Sequence, residues 1–250
     1  MITTVGIDVG GPLKGFHAVA LRDGAYAGQL ASREARELAH WCRCVVQARV
    51  IAIDAPCRWS VDGRARPCER ELRRQGIVCF ASPTREAAVA HPSDYYGWML
   101  RGEALYQALE PTHPLAAAPP LAGQHCCFET FPHAITWHLR GGNAQAARKR
   151  TQRRELLRLA GIDLAPLTSI DQIDAALCAL AAHHAAIGGE CVTYGEPQTG
   201  WIVVPSRPIS WPDISGPIRT SPGSISPDPT KFRRAFREAS LSLSCGHEAG

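Results

Sequence analysis

The sequence is poor in lysine. Lys14, Lys149 and Lys231 are the only lysines in 250 residues, so arginine supplies almost all of the positive charge. It also lacks a long apolar run, and none approaches the roughly 20 residues that a membrane-spanning helix needs. The N-terminus has no basic stretch followed by an apolar one, so no secretory signal is predicted. These absences argue against a membrane protein and lead us to expect a soluble, cytoplasmic one.

Cysteine is plentiful, but the spacing typical of metal-binding or redox cysteines is missing. The chain has 10 cysteines and no Cys-x-x-Cys pair; the most closely spaced are Cys42 with Cys44 and the adjacent Cys126 and Cys127. Without an export signal we expect reduced thiols, most of them acting as small buried hydrophobic side chains. A zinc site is the less favoured alternative.

The bulk composition is that of an ordinary globular protein. A chain of this length buries roughly 70–75% of the surface that its unfolded form exposes, so it needs no disulfide or metal to hold a core. The hydrophobic fraction of 45% argues against global disorder. The formal net charge of +4 permits an anionic partner without requiring one.

The N-terminal part of the chain alternates apolar and polar residues in the manner of strands. Asp23 and Gly24 form a tight hairpin signal between two such stretches. A meander of three strands that leads into βα units predicts a mixed α/β sheet. The predicted elements here are strands at 2–9, 15–21 and 25–30, a helix starting at Ser32 and ending near 47, and a buried strand at 49–54.

The rest of the chain is predicted to contain an insertion, further core elements and a tail. We expect residues 1–205 to form one domain, with 55–123 as an insertion or lid that includes a short strand at 77–80. Residues 206–250 are rich in Pro and Ser and are predicted to be mostly disordered. The further core elements are a strand at 126–131, helices at 144–160 and from Ser169 or Asp171 to 187, and short strands at 192–194 and 200–204.

Acidic residues stand at or near the ends of predicted core strands: Asp8, Asp54 and Glu129. In open α/β sheets the functional crevice lies outside the carboxyl ends of the strands. A carboxylate in an apolar strand is costly unless it is paired, so each acid taken singly is explained by a structural partner. Asp171 and Asp174 are three positions apart and share one face of a predicted helix. Asp171 taken singly is explained as a helix N-cap.

Taken together, these acids favour a metal site. Carboxylates gathered in one place repel each other, and their pKa values rise unless a cation compensates. Mg²⁺ is typically held by a few carboxylates plus substrate phosphate. Two such ions activate a water and stabilise the leaving oxygen in phosphodiester cleavage. If the acids meet in the fold, we therefore expect Mg²⁺ or Mn²⁺ between them.

Six motifs, taken in order, resemble those of a known family. They are Gly-Ile-Asp-Val-Gly (6–10), Ile-Ala-Ile-Asp-Ala-Pro (51–56), Arg-Pro-Cys-Glu-Arg-Glu-Leu (66–72), Phe-Glu-Thr-Phe-Pro (128–132), Asp-Gln-Ile-Asp-Ala-Ala-Leu (171–177), and Gly-Glu-Pro (195–197) followed by Gly-Trp-Ile (200–202). Over about residues 1–205 this order resembles the domain of unknown function 429 family. The motif at 171–177 is also similar to the last acidic helix of Holliday-junction resolvases.

The resemblance implies a ribonuclease H-like fold and a metal-dependent nuclease. The fold would be a mixed five-stranded sheet with flanking helices and an insertion after the fourth strand. In the wider superfamily acids on the first strand, the fourth strand and the last helix bind metal. Carried over, these are Asp8, Asp54 and Asp174, with Asp171 as a helper. Glu129 completes the expected catalytic set, although the fifth strand is not the usual place for such an acid.

A basic run on the predicted helix 144–160 offers a surface for nucleic acid. Alone, such a run is explained as a solvated helix face. Beside a metal nuclease site, its side chains become candidates for phosphate contacts. We therefore expect DNA or RNA as the partner and no membrane. The residues concerned are Arg148, Lys149, Arg150, Arg153 and Arg154.

Two other functions remain open from the sequence. The motif Gly-Ile-Asp-Val-Gly-Gly at 6–11 also resembles the first phosphate loop of actin-like small-molecule kinases. A convincing second phosphate loop is missing, since the glycine pairs at 141–142 and 188–189 are weak matches. The other alternative is a non-catalytic nucleic-acid-binding protein on the same scaffold, against which the full set of acids argues.

Overall fold

The computed structural model describes residues 1–117 and 121–206, and a mixed β-sheet forms its centre. The strands are β1 (Thr3–Val9), β2 (Phe16–Arg22), β3 (Ala25–Ser32), β4 (Val50–Asp54), β5 (Cys126–Glu129), β6 (Cys191–Glu196) and β7 (Gly200–Pro205). They lie in the order β3-β2-β1-β4-β5-β7-β6. Strands β1, β4, β5 and β7 run parallel, whereas β2, β3 and β6 join by antiparallel pairing.

The prediction of a mixed α/β sheet with flanking helices is confirmed, but the predicted number of five strands is wrong. The short strands β6 and β7 near residue 200 extend the same sheet beyond β5, which makes seven strands. The hairpin between β2 and β3 turns at Asp23 and Gly24, whose φ angles of 46° and 80° match the twist of the strands that it joins.

Helices cover both faces of the sheet. They are α1 (Ala35–His40), α2 (Pro67–Arg74), α3 (Arg85–Val89), α4 (Gly97–Leu109), α5 (Pro132–Leu139), α6 (Lys149–Leu159) and α7 (Ile170–Ala186). Helices α2, α5, α6 and α7 share one hydrophobic cluster with the face of β2 that carries Val19 and Leu21. The opposite face, which carries Val5, Ile7 and Ile53, packs with α1 and α4. The alternation of each strand therefore assigns its side chains to one of the two faces of the sheet.

Helix α7 lies unusually close to β1 because Gly6 has no side chain. A Cβ at Gly6 would overlap the backbone of α7 at Ala175 and Ala179. Two residues earlier on the same face of β1, the Thr4 hydroxyl donates to the carbonyl oxygen of Ala179 at 3.4 Å. The helix therefore runs opposite to β1, and its N-terminal turns lie at the carboxyl end of that strand.

Several predicted elements differ in extent or kind. The helix predicted from Ser32 is α1 followed by a π-helical turn at Trp41–Val45. The predicted helix 144–160 is a 3-10 turn at Ala146–Arg148 followed by α6. Of the two predicted starts for α7, Ser169 is the N-cap, since its hydroxyl accepts from the backbone N–H of Gln172.

The strand predicted at 77–80 is wrong. This segment pairs with no strand in the described part of the chain. It instead closes the end of α2: the backbone N–H of Ile77 donates to Leu72 O, and Arg73 donates to the carbonyl oxygen of Cys79. Apolar composition alone therefore did not make this segment a strand, because strand formation depends on its packing context.

The cysteine prediction is confirmed for the described residues. All nine described cysteines are free and six are buried. No helix within 1–117 or 121–206 is both long and apolar enough to cross a membrane. The described residues belong to one compact unit, Met1–Trp211. The predicted disordered tail lies outside them, except for Ser206.

Candidate active site

The candidate site begins with two aspartates that are neighbours across the sheet. Asp8 on β1 and Asp54 on β4 are register partners in a parallel pair. Adjacent strands lie roughly 4.8 Å apart, and paired residues point to the same face. That face is the one covered by α7, because Gly6, two positions before Asp8, contacts this helix. The β1–β4 pairing therefore brings two carboxyl groups together at the carboxyl ends of both strands.

The N-terminal turns of α7 bring two more acids to the same place. Asp171 lies in the first turn and Asp174 in the second. Both are close enough to Asp8 for their negative charges to raise its pKa. The side chain of Asp174 is 9% exposed, whereas that of Asp171 is 20% exposed. The four predicted acids Asp8, Asp54, Asp171 and Asp174 thus form one cluster, which we call the acid cluster.

Two of the four acids already have a cationic partner. The Lys14 ammonium, in the turn between β1 and β2, donates to Asp171 Oδ1 at 2.9 Å. The guanidinium of Arg153 on α6 forms an ion pair with Asp174. The side chains of Arg153 and Asp174 are 6% and 9% exposed, so this pair is almost fully removed from water.

The carboxylates of Asp8 and Asp54 have no such partner. Within the described part of the chain, neither accepts a hydrogen bond or forms an ion pair. Burial, followed by the charges of Asp174 and Asp171, raises the pKa of Asp8 to about 7. Burial, followed by the charges of Asp8 and Asp174, raises the pKa of Asp54 well above its usual value. Lys14 and Arg153 offset only part of the negative charge at Asp8, and a bound cation would relieve the rest.

These residues fit one divalent ion. Among residues 1–117 and 121–206, no three His, Cys, Asp or Glu side chains are arranged as ligands of a metal ion. A magnesium site does not need such a group, because Mg²⁺ keeps several waters and is commonly held by one or two carboxylates plus substrate phosphate. Asp8 and Asp54 supply two hard oxygen donors that form no hydrogen bond or ion pair within the described residues. Of the three acids that the family resemblance implies as ligands, Asp174 is paired with Arg153 in this structure.

Glu129 lies near the acid cluster, but its carboxylate is hydrogen-bonded to residues outside that cluster. Both of its oxygens accept from the guanidinium of Arg66, at 2.6 and 2.8 Å, and the backbone N–H of Cys57 donates to it at 2.8 Å. Arg66 also donates to Glu69 at 2.8 Å, and the Ser82 hydroxyl donates to Glu69 at 2.6 Å. Glu129, Arg66 and Glu69 are each 2–3% exposed. We call these three residues the buried ionic network; it fastens the segment after β4 to β5.

The basic run on α6 divides into an exposed part and a buried part. Arg148, Lys149 and Arg150 are exposed. Arg154 is half-buried and donates to the carbonyl oxygen of Leu167 at 3.1 Å. Arg153 is 5% exposed and points into the acid cluster instead of outward. Of the predicted phosphate-binding residues, Arg148, Lys149 and Arg150 are therefore the ones exposed to solvent.

A cavity and an aromatic cluster adjoin the acid cluster. The cavity has a volume of about 60 Å³, and Asp54, Glu129, Phe80 and Trp98 contribute to its wall. Phe80 also contacts Tyr95, with ring centroids 5.6 Å apart. Phe80 is 42% exposed and Tyr95 is 55% exposed, so part of this aromatic surface is open to solvent.

Comparison with known proteins assigns the family. The model of the family described as "Protein of unknown function (DUF429)" matches residues 6–199. The chain belongs to this family. The match covers β4, α7 and the part of β1 that carries Asp8, and hence the whole acid cluster. The predicted family is confirmed.

The chain was also compared with solved structures and with curated proteins. The structure titled "Thermus thermophilus RuvC structure" is 16% identical to this chain, with a TM-score of 0.38, over 75% of this chain and 97% of that one. A search of curated proteins finds no match.

Sequence reasoning missed the cations that face the acids. Arg153 carried a signal: it lies three and four positions before Leu156 and Leu157, on the buried face of α6. A charge on an apolar helix stripe indicates a buried partner. Lys14 carried a weaker signal, as one of three lysines and in the turn that follows Asp8. The pairing of Arg66 with Glu129 spans 63 positions and had no local signal.

Proposed function

We propose that the protein is a divalent-metal-dependent phosphodiesterase acting on nucleic acid, with a ribonuclease H-like fold. The observation that supports this proposal is the pair of partnerless carboxylates, Asp8 and Asp54, in register at the carboxyl ends of two parallel strands. The third acid of that superfamily's pattern, Asp174 on the last long helix, stands at the same place.

The proposed mechanism gives each charged group of the acid cluster one task. Asp8 and Asp54 hold a Mg²⁺ or Mn²⁺ ion. When bound, such an ion lowers the pKa of a coordinated water and neutralises charge on the scissile phosphate. Lys14 and Arg153 hold Asp171 and Asp174 in place and lower the repulsion that a phosphate meets on approach.

Substrate binding is proposed to use two surfaces near the acid cluster. Arg148, Lys149 and Arg150 are exposed on α6 and would contact backbone phosphates. Phe80 and Tyr95 offer partly exposed rings, on which an unpaired base gains stacking energy. Glu129 has a structural task in this proposal, because its oxygens are occupied by Arg66 and Cys57.

The test is cleavage of labelled single-stranded, double-stranded and branched DNA and RNA with Mg²⁺ or Mn²⁺. Loss even of an outer-shell partner of a metal ligand costs about 10–100-fold, so Asp8→Asn and Asp54→Asn are each expected to lower the cleavage rate by at least about 100-fold. Asp163→Asn is the matched control, because Asp163 is exposed and caps a loop by accepting from Ala165 N.

Three results would reject the proposal. Cleavage that persists in both Asp8→Asn and Asp54→Asn would show that the acids do not carry the reaction. Tight binding of nucleic acid without cleavage of any substrate would favour the non-catalytic alternative. Transfer of phosphate from ATP to a small molecule would favour the kinase alternative.

A further inference from the structure

The acid cluster contains two different kinds of carboxylate. Asp171 and Asp174 face fixed cations, Lys14 and Arg153. Asp8 and Asp54 face none within the described residues, and they are register partners. The places where a cation is missing are therefore confined to one side of the cluster, between β1 and β4.

Arg153 is a buried, fixed part of the acid cluster. It is 5% exposed and stands on the face of α6 that carries the buried residues Leu156 and Leu157. Its charge lowers the pKa of Asp8 and Asp54 as well as that of Asp174, so the guanidinium acts on three of the four acids. A buried arginine keeps its charge at every accessible pH, whereas a bound metal ion depends on its concentration.

The charges of the cluster leave room for one divalent ion. Four carboxylates face the single positive charges of Lys14 and Arg153. One divalent ion brings the ionised cluster to neutrality, and a second would leave a net positive charge beside the fixed guanidinium, where like charges repel. The second ion would also have to lie beside Asp174, where the guanidinium already stands.

We propose that this site takes a single divalent ion, held between Asp8 and Asp54, and that Arg153 occupies the position of a second ion at Asp174. This inference rests on the proposed metal site and names its stoichiometry. In a two-ion site the second ion stabilises charge on the reacting phosphate. In this protein the guanidinium of Arg153 supplies that positive charge. Because it pairs with Asp174, Arg153 is also a positioning residue for that carboxylate.

The experiment measures Mn²⁺ binding to the full chain by isothermal titration calorimetry and electron paramagnetic resonance, without nucleic acid. Wild type is expected to bind one Mn²⁺ with the spectrum of an isolated ion. Asp54→Asn is expected to weaken that binding by about 100-fold, since carboxylate count sets the affinity of such sites. Arg153→Met frees Asp174 and is expected to bind two ions, with a spectrum showing magnetic coupling.

Three further variants separate the role of the charge from that of packing. Arg153→Lys keeps the charge and is expected to bind one ion. The double variant Arg153→Met with Asp174→Asn removes both partners and is also expected to bind one. Arg158→Met changes an exposed arginine on the same helix and is expected to behave as wild type. Circular dichroism of each variant reports whether the chain is folded.

The outcomes are decisive even if Arg153→Met fails to fold. Two coupled Mn²⁺ ions in wild type, or one ion that survives Asp54→Asn unchanged, overturn the inference. A folded Arg153→Met that still binds one ion also overturns it. If the stoichiometry follows the expected pattern but no nucleic acid is cleaved, the inference stands and the proposed nuclease function fails.

Discussion

Replacing Glu129 by glutamine separates a structural role for this residue from a catalytic one. Glutamine keeps the shape of the side chain but removes the charge that faces Arg66. In the buried ionic network, Glu129 accepts two hydrogen bonds from Arg66 and one from the backbone N–H of Cys57. The side chains of Arg66 and Glu129 are 2% and 5% exposed, so water cannot replace the lost carboxylate.

The size of the effect follows from burial. Removing one partner of a buried ion pair costs about 3–5 kcal/mol, because the remaining charge is left without compensation. Arg66 keeps its bond to Glu69, so the lower end, about 3 kcal/mol, is expected. For a domain of this size each kcal/mol lowers Tm by about 2–4 °C, so the expected decrease in Tm is about 6–12 °C.

The assay is urea unfolding followed by circular dichroism, with Glu155→Gln as the matched control. Glu155 pairs with Arg140 and is 35% exposed, so its loss is expected to cost about 0–1 kcal/mol. Mn²⁺ binding is expected to be the same in Glu129→Gln and in wild type. A cost for Glu129→Gln as small as that of the control would refute the role of burial, and lost Mn²⁺ binding in a folded variant would return Glu129 to the metal site.

Two further predictions concern the acid cluster and the helix above it. In the presence of a chelator, ionisation of Asp8 opposes folding, because folding raises the pKa of this carboxyl group from 3.8 to about 7. The contribution of the protonated Asp8 to the free energy of unfolding is complete below pH 3.8 and is lost as the pH rises through about 7. Urea unfolding at pH 5 and pH 8 is expected to show this loss, and Asp8→Asn is expected to reduce it; an unchanged pH dependence would contradict the assignment. Gly6→Ala is expected to destabilise the protein by at least about 1–3 kcal/mol, because the new methyl group would overlap the α7 backbone. The same unfolding assay checks this prediction. The control is Gly11→Ala, since Gly11 has no positive φ, whereas Gly76 has one and is unsuitable. A cost for Gly6→Ala no larger than that for Gly11→Ala would contradict the close approach of α7.

The sequence was sufficient to predict the elements that carry the acids. Alternation in β1, with Val5, Ile7 and Val9 on one face, placed Asp8 on the other face together with Gly6. The apolar run of β4 ended at Asp54, and the three-residue spacing of Asp171 and Asp174 placed them on one side of α7. These are local patterns, because the period of a strand or helix fixes which neighbours share a face.

The sequence predicted the sheet less well at its edge and in the insertion. The strands β6 and β7 were found, but their membership of the central sheet depends on pairing between β7 and β5, about 70 residues apart. The segment 77–80 was apolar enough for a strand but is not part of the sheet in the described structure. Pairing across such distances is decided by packing, on which local composition carries little information.

The sequence by itself determined which acids exist, which elements carry them and that a cation would be needed if they met. Only the tertiary structure decided which acids lack a direct ion-pair partner. It turned Arg153 inward onto Asp174, brought Lys14 to Asp171 and closed Arg66 on Glu129, and so left Asp8 and Asp54 as the pair without a partner. The physical reason is that a charge buried in a core must find an opposite charge nearby in space, and the fold sets that neighbour independently of distance along the chain.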